Sequence, residues 1–311
     1  NFLHEEPYST TLQQMGVEIL YGPGYQAGIW DWLTKNKDEI DFAYLNRPHI
    51  AIKYIDFIKK NTNIKVIYYG HDLHFLREYR EYELTGDIQK KRESDYWKSI
   101  EFSLMEKAAV SYYPSYVEEE AIHAIHPEYK IRAITAYVYE KFLENIDKDF
   151  EKREGLLFVG GFAHPPNADA VLWFAKEIFP LIRQKLDVNF YVVGSKVTDE
   201  IKALEQPGSG IIVKGFVTEE ELASLYATSR IVVVPLRYGA GVKGKVVEAV
   251  YNGSAIVTTS IGSEGIPEAE RVMKVADGPE AFADEVVKMY EDPTECRRMC
   301  EETQKYIREY F

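Results

Sequence analysis

Two kinds of segment alternate along this chain of 311 residues, and the alternation limits the possible folds more than any other feature. Short runs rich in β-branched and aromatic residues predict buried strands, and the longer amphipathic stretches between them predict helices. In the first half, strands are predicted at Val17–Tyr21, Asp41–Leu45, Ile64–Tyr69, Ala109–Tyr113 and Ile131–Ala136. The helices predicted in that half are Ile50–Asn61, Ser94–Ala109 and Tyr116–Ile125.

The second half repeats this alternation more clearly. Its predicted strands are Leu156–Val159, Asn189–Val193, Gly210–Val213, Ile231–Pro235, Ala255–Thr259 and Met273–Val275. Its predicted helices are Ala168–Lys185, Thr198–Leu204, Glu219–Thr228, Gly244–Asn252, Pro279–Tyr290 and Thr294–Tyr310. Strands that alternate with helices are typical of a doubly wound parallel sheet. The two blocks therefore predict an α/β protein with two Rossmann-like domains.

A highly charged stretch with little periodicity separates the two blocks. It predicts a linker at residues 138–154, between an N-terminal domain at 1–137 and a C-terminal domain at 155–311.

The charge of the chain excludes some partners. Its 37 basic and 50 acidic residues give a formal net charge of −13, which argues against binding to a nucleic-acid backbone. The apolar runs are far shorter than the ~18–20 residues of a membrane span, so no transmembrane segment is predicted, whereas peripheral contact with a membrane stays open. The two cysteines fit a reducing, cytoplasmic compartment. The chain begins with Asn1 and shows no signal peptide, which is compatible with a piece of a longer multidomain protein.

The most informative segment runs from Ile231 to Gly253, where a strand, a glycine-rich loop and a helix follow one another. Glycines let a ligand approach the backbone closely, and the free amides at the start of the helix favour an anion there. Arg237, Lys243 and Lys245 add three positive charges within nine residues of an acidic chain. The segment therefore predicts a phosphate or diphosphate site, with a plain strand–helix turn bearing surface lysines as the alternative.

Two known phosphate-binding patterns overlap this segment but fit it poorly. Gly239–Gly244 matches GxGxxG, yet it follows the fourth strand of its domain, whereas a dinucleotide fingerprint follows the first. Gly239–Lys245 matches GxxxxGK, but Val246 stands where a nucleoside triphosphatase needs Ser or Thr for magnesium. Neither a dinucleotide enzyme nor a triphosphatase is predicted.

The sequence PLRYGAGVKGKVVEA, followed by GSAIVTTSIGSEGI, resembles the donor-site block of the retaining glycosyltransferases of family 4, within the glycosyl transferases group 1. FVGGFAHPPNADAVLWFAKEIFPLI (Phe158–Ile182) is similar to the first strand, loop and helix of their C-terminal domain. VIYYGHDLHFLREYREYE (Val66–Glu83) is similar to the sugar-side loop of their N-terminal domain. The resemblance covers residues 150–311 closely and 1–137 more loosely. It implies the GT-B fold, in which the parallel sheets of two Rossmann-like domains face a cleft.

The resemblance also implies where the diphosphate and the ribose of a nucleotide sugar bind. Lys243 and Lys245, with Arg237, would stabilise the charge of the departing nucleoside diphosphate. The backbone amides of Gly241 and Val242 would surround the same phosphates. Glu248 would accept hydrogen bonds from the ribose hydroxyls, with a capping or solvated helix glutamate as the alternative.

Four further positions complete the implied site. Gly160 and Gly161 open a loop that would lie against the diphosphate. Phe216 and Val217 would line the pocket for the base, although a place in the core is about equally expected for Phe216. On the other side of the cleft, His71 follows a strand and would contact the donor sugar near the reacting carbon. A loop histidine bonded to the backbone is the alternative reading of His71.

The chain departs from the family pattern in two ways. Ala240 stands where relatives often carry an acid eight positions before Glu248, which leaves the identity of the sugar open. The N-terminal domain also looks short, because residues 1–16 lead directly into what resembles the third strand, so its first strands are expected to be missing.

The function expected from the resemblance is retaining transfer of a sugar from a nucleotide diphosphate sugar to a hydroxyl of a glycan, in bacterial cell-surface polysaccharide synthesis. The expected partners are the nucleotide-sugar donor and the glycan acceptor, and the expected location is the cytoplasm, including the inner face of the membrane. No cofactor beyond the donor and no metal site are expected: the His pairs lack a third ligand at metal spacing, and the one Asp-x-Asp sequence lies in the linker rather than at a strand end. A non-catalytic nucleotide-sugar-binding or scaffold domain and an epimerase of the same fold are the alternatives.

Overall fold

The computed structural model describes residues 2–143 and 150–311. It contains two lobes, each built on its own parallel sheet: a four-stranded sheet in the N-terminal lobe and a six-stranded sheet in the C-terminal lobe. The division into two α/β domains is as the alternation of strands and helices predicts.

The N-terminal lobe is a parallel sheet with helices packed on it. Its strands are β1 (Phe42–Asn46), β2 (Lys65–Tyr69), β3 (Val110–Tyr113) and β4 (Ile131–Ala133), and they pair in the order β1-β2-β3-β4. Its helices are α1 (Tyr8–Gln14), α2 (Pro23–Asn36), α3 (Pro48–Asn61), α4 (His74–Thr85), α5 (Ile88–Lys107) and α6 (Tyr116–His123). The core of the lobe forms where Val66 and Tyr68 of β2 meet Ile55 of α3 and Leu104 of α5, all of them at most 1% exposed.

Local chemistry places the helix starts in this lobe. Ser115 and Glu118 form a capping box at the start of α6. At the start of α4, the Glu101 carboxylate accepts hydrogen bonds from the amides of His74 and Phe75, at 2.9 and 3.1 Å. Helix α4 was not anticipated from the sequence, where this segment resembles a loop of the family. Its start is fixed by Glu101, which lies on α5, far away along the chain.

The strand predicted at Val17–Tyr21 is wrong. The segment lies outside both sheets. Its first amide, that of Val17, donates to Leu12 O, and the Gly22 amide, just beyond the segment, donates to Phe2 O. The other ten predicted strands all correspond to observed strands, with shifts of a few residues at their ends.

The C-terminal lobe is a doubly wound sheet. Its strands are β5 (Leu156–Val159), β6 (Phe190–Val193), β7 (Ile211–Gly215), β8 (Ile231–Val234), β9 (Ile256–Thr258) and β10 (Lys274–Val275). Its helices are α7 (Pro165–Trp173), α8 (Phe179–Arg183), α9 (Asp199–Lys202), α10 (Glu219–Thr228), α11 (Gly244–Tyr251), α12 (Ser260–Ser263), α13 (Pro279–Glu291) and α14 (Pro293–Tyr310). A π-helical turn, Phe174–Ile178, joins α7 to α8.

The strand order of this second sheet is β7-β6-β5-β8-β9-β10, with all pairs parallel. The chain builds outward from β5 through β6 to β7, then crosses back to β8 on the other side of β5. Doubly wound sheets bind ligands outside the carboxyl ends of the strands at such a reversal. The crevice between the ends of β5 and β8 is therefore the position in which to look for a site.

The predicted linker, 138–154, is described only in part, since residues 144–149 lie outside the described residues. The part before them packs on the C-terminal lobe: Tyr139 stacks on Tyr251 with ring centroids 4.1 Å apart, and its amide donates to Phe311 O. Within the residues that the structure describes, no helix is both long enough and apolar enough to span a bilayer.

Candidate functional site

A cavity of about 370 Å³ lies at the carboxyl ends of β5, β6 and β7. It borders the reversal of strand order and also reaches helix α11. Its walls are formed by Val159, Gly160, Gly161, Asn167, Val193, Gly194, Ser195, Phe216, Val217, Leu222, Lys245 and Glu248. Six of the residues predicted for a nucleotide-sugar site are thus brought together here.

Glycines let three strand ends meet at the floor of this cavity. A Cβ atom on Gly194, whose φ is +154°, would lie 1.9 Å from the carbonyl oxygen of Gly160, so no larger residue fits at Gly194. The side chain of Asn167 donates from Nδ2 to Gly161 O at 2.8 Å and holds the loop after β5 in place. A Cβ atom on Gly160 would approach Lys245 Cε to 3.2 Å, so the loop and the lysine are in direct contact.

Lys245 supplies the positive charge of the cavity. It lies in the first turn of α11 and is half-buried, and its ammonium makes no ion pair or hydrogen bond within residues 2–143 and 150–311. Burial, with a smaller contribution from the charge of Lys243, lowers the pKa of Lys245 to about 8. The nearby charge of Glu248 opposes this lowering but forms no ion pair with Lys245. A desolvated lysine at a helix N-terminus and beside two glycines suits an anionic ligand.

Glu248 lies one turn further along α11 and lines the same cavity. Burial raises the pKa of this half-buried carboxyl. A cation and a hydrogen-bond acceptor thus stand one helical turn apart in one cavity.

The aromatic wall of the cavity is Phe216, which follows β7. Its side chain is 82% exposed, so it is not a core residue, and Val217 lies beside it at the cavity wall. An exposed ring at the mouth of a cavity offers a flat apolar surface on which a base can stack.

Arg237 does not line this cavity. Its Nε donates to Asp169 Oδ2 at 2.9 Å, its second guanidinium nitrogen bonds to the other oxygen of Asp169, and its guanidinium lies over the ring of Trp173. The hydrogen bond to Asp169 is the largest of the effects that raise the pKa of Arg237. The sequence places Arg237 with the lysines, but the structure gives it a carboxylate partner on α7.

Lys243 and its loop lie at the seam between the lobes and also do not line the cavity. Lys243 is 7% exposed; its ammonium donates to Gly241 O and lies 3.6 Å from Glu264 Oε1. Burial lowers the pKa of Lys243, against the opposing effect of Glu264. Gly241 has a φ of +75°, and a Cβ atom there would lie 2.9 Å from the carbonyl oxygen of His71. Val242 follows in the same loop.

His71 lies where the sequence predicts it, just beyond β2 and against the loop of the other lobe. Its Nε2 donates to Asn46 Oδ1 at 2.6 Å, and its ring meets the edge of Tyr69 at 4.8 Å between centroids. Burial first, and then the charge of Arg47, lower its pKa, which favours the neutral imidazole. The expected alternative was a bond to the backbone, whereas the observed partner is a side chain of β1.

Several residues of the site were not predicted from the sequence. Asp169 and Glu264 neutralise cations of the site region, and Arg80 of α4 reaches across from the N-terminal lobe to Glu264. Single charged residues far apart in sequence carry no periodic signal, so only the fold can show that they meet. In the part of the chain that the structure describes, no cluster of three or more His, Cys, Asp or Glu could hold a metal ion.

Comparison with known proteins supports the architecture. Residues 153–292 match a family model described as "Glycosyl transferases group 1". A protein of Klebsiella pneumoniae, described as an uncharacterized 44.6 kDa protein in the cps region, is 32% identical over 116 residues, which are 35% of this chain. The aligned part spans only 30% of that relative's length.

Solved structures match nearly the whole chain. Sucrose-phosphate synthase from Thermosynechococcus elongatus superposes with a TM-score of 0.72 and 16% identity, over 95% of this chain and 77% of its own. HepE of Anabaena, in complex with UDP and glucose, superposes with a TM-score of 0.69 and 15% identity, over 99% of this chain and 86% of its own. With two parallel sheets arranged as in these glycosyltransferases, the fold is GT-B, as the sequence resemblance implies. The C-terminal lobe carries the match to the glycosyl transferases group 1 model.

Proposed function

We propose that this protein is a glycosyltransferase that moves a sugar from a nucleoside diphosphate sugar to a hydroxyl group of a glycan. The donor binds in the cavity of the C-terminal lobe, with its diphosphate against Lys245 and the Gly160–Gly161 loop. Its ribose hydroxyls bond to Glu248, and its base lies against Phe216. The acceptor enters from the side of the N-terminal lobe, where His71 faces the cleft.

Lys245 is the observation that carries this proposal. A half-buried ammonium with no ion-pair partner in the described ranges, and with only the charge of Glu248 to oppose its desolvation, favours the binding of an anion. Its place at the strand reversal, with a carboxylate one turn away, fits a nucleotide better than a simple anion. When the sugar leaves, negative charge grows on the diphosphate, and a fixed cation there stabilises the transition state.

We favour transfer with retention because of the groups that lie near the seam. Next to His71, whose lowered pKa favours the neutral imidazole, lies Asp72, and this carboxylate is already bonded to the Arg77 guanidinium. A paired carboxylate is a poor nucleophile, so a same-face displacement with retention, without a covalent enzyme intermediate, is the mechanism we favour. The lysine supplies the electrostatic stabilisation that a metal ion gives other transferases, so the reaction is proposed to be metal-independent. The cps-region relative supports a role in polysaccharide synthesis in a bacterial cytoplasm, at the membrane face where such glycans are built.

The first experiment is a thermal-shift panel with UDP, GDP, dTDP and their sugars. A ligand that binds only the native state raises the melting temperature, so one nucleotide series is expected to stabilise the protein. The corresponding radiolabelled nucleotide sugar is then incubated with glycan acceptors, and transfer of label is followed. No stabilisation by any nucleotide would overturn the proposal.

A second candidate is a nucleotide-sugar-binding domain without transferase activity. It is favoured by Ala240, which stands where the resembling family often carries an acid that contacts the donor sugar. Stabilisation by a nucleotide sugar, with neither transfer nor hydrolysis of label across the acceptors, would support this candidate instead.

A further inference from the structure

The Gly239–Lys243 loop is held from the opposite lobe. Arg80 of α4 donates from one guanidinium nitrogen to Gly239 O at 2.6 Å and to Glu264 Oε1 at 3.0 Å. Its other terminal nitrogen donates to Glu264 Oε2 at 2.6 Å. Arg80 thus makes three hydrogen bonds to the C-terminal lobe, and these bonds to Gly239 and Glu264 form a clamp between the lobes.

Glu264 connects this clamp to the lysine of the loop. Its carboxylate, with a side chain 13% exposed, accepts both bonds from Arg80 and lies 3.6 Å from Lys243 Nζ. The residue after it, Gly265, is packed between the lobes: a Cβ atom there would lie 2.7 Å from Ser115 Oγ of the N-terminal lobe and 2.9 Å from Val242 Cγ2 of the loop. Glu264 therefore stands between an arginine of one lobe and the loop of the other.

The same loop leads directly into the anion site. Lys243 is the residue before α11, and Lys245 lies in the first turn of that helix. Arg80 and Glu264 themselves do not line the cavity. Any effect of these two residues on a ligand in the cavity must therefore pass through the loop or through their charge.

We propose that Arg80 and Glu264 are positioning residues for donor binding, in which an arginine of the N-terminal lobe sets the loop that leads into the diphosphate site. The inference rests on the proposed function, because it concerns the diphosphate of the donor. Removing either partner releases the loop and with it the start of α11. The base and ribose contacts at Phe216 and Glu248 lie farther from the clamp and stay in place.

An effect of charge and an effect of positioning predict opposite changes in anion affinity for Glu264→Gln. If the pair acted only through its charge, Arg80→Gln would weaken binding of an anion, and Glu264→Gln would strengthen it. If the pair positions the loop, both substitutions weaken binding. The double variant then binds the anion no more weakly than either single variant, because each single substitution already removes the contact between Arg80 and Glu264.

The experiment measures, by calorimetry, the dissociation constants of the nucleoside diphosphate that stabilises the protein most and of the matching monophosphate. We expect Arg80→Gln and Glu264→Gln each to weaken diphosphate binding by about tenfold or more, equivalent to ~1.4 kcal/mol. The affinity for the monophosphate is expected to change less, so the preference for the diphosphate shrinks. Arg80→Lys keeps the charge but cannot make the forked contact, and it should give an intermediate loss. Arg271→Gln is the matched control, since Arg271 bonds to Glu268, Glu302 and Glu309 within the C-terminal lobe and does not line the cavity.

The outcomes separate the two proposals. A wild-type protein that binds none of the nucleotides overturns the proposed function, and the inference falls with it. The inference alone is overturned if the wild-type protein binds the diphosphate and the dissociation constant of Arg80→Gln lies within twofold of the wild-type value. It is also overturned if Glu264→Gln binds the diphosphate more tightly than the wild-type protein does. If Arg80→Gln does not fold, Glu264→Gln and Arg80→Lys decide by the same criteria.

Discussion

Replacing Lys245 with glutamine tests the anion site most sharply. The substitution keeps the length and polarity of the side chain and removes the only charge that it brings to the cavity. A charge-assisted hydrogen bond to a phosphate contributes ~1.5–3 kcal/mol, so the dissociation constant for a nucleoside diphosphate should rise about tenfold to 150-fold. Lys185→Gln is the matched control, because Lys185 pairs with Asp284 on the surface of the same lobe and does not line the cavity.

The pH dependence provides a second test of the same lysine. Lys245 has a pKa of about 8, so ~90% of it is charged at pH 7 and ~10% at pH 9 in the free protein. The diphosphate binds the charged form, so affinity should fall as the pH rises through 8, by up to about tenfold per unit above it. Lys245→Arg stays charged throughout this range and should show a flat profile between pH 7 and 9.5. Calorimetric titrations at four pH values measure both effects. Unchanged affinity in a folded Lys245→Gln protein would refute the assignment of the anion site.

Three further outcomes are expected. Glu248→Ala should weaken nucleotide binding by about tenfold to 150-fold without unfolding the chain, because two ribose hydroxyls lose a charged acceptor worth ~1.5–3 kcal/mol. Calorimetry and a melting curve check both parts, and unchanged affinity would remove the ribose role. Arg237→Gln should change nucleotide affinity by less than about threefold, since Arg237 is committed to Asp169; a loss as large as that of Lys245→Gln would show that the arginine moves to the ligand. Sugar transfer should continue in EDTA, and a complete loss that added metal restores would contradict the metal-independent mechanism.

Much of the C-terminal lobe could be predicted from the sequence because its signals are local. Buried parallel strands such as Ile231–Val234 form continuous apolar runs, and the helix after the loop begins at a glycine, Gly244, with Lys245 and Glu248 one turn apart on one face. These two residues and the loop after β5 were predicted for one site, and the structure places them around one cavity.

The rest depends on contacts that are distant in sequence. The local charge cluster groups Arg237 with two lysines, but the electrostatics of Arg237 are decided by Asp169, 68 positions away. Lys243 lies near Glu264 and bonds to its own loop rather than lining the cavity. Arg80 bonds to Glu264, which is 184 positions away in the sequence. No periodic pattern of apolar residues in the sequence indicates such pairs. Val17–Tyr21 was predicted as a strand from its apolar run alone, and the run does not record whether another strand pairs with it.

The most direct test of the account is a crystal structure of the protein with the nucleoside diphosphate that stabilises it most. We predict the β-phosphate against Lys245 and the Gly160–Gly161 loop, the ribose hydroxyls on Glu248, and the base against Phe216. A nucleotide bound elsewhere, or a diphosphate held by Arg237 with the cavity beside Lys245 unfilled, would contradict it.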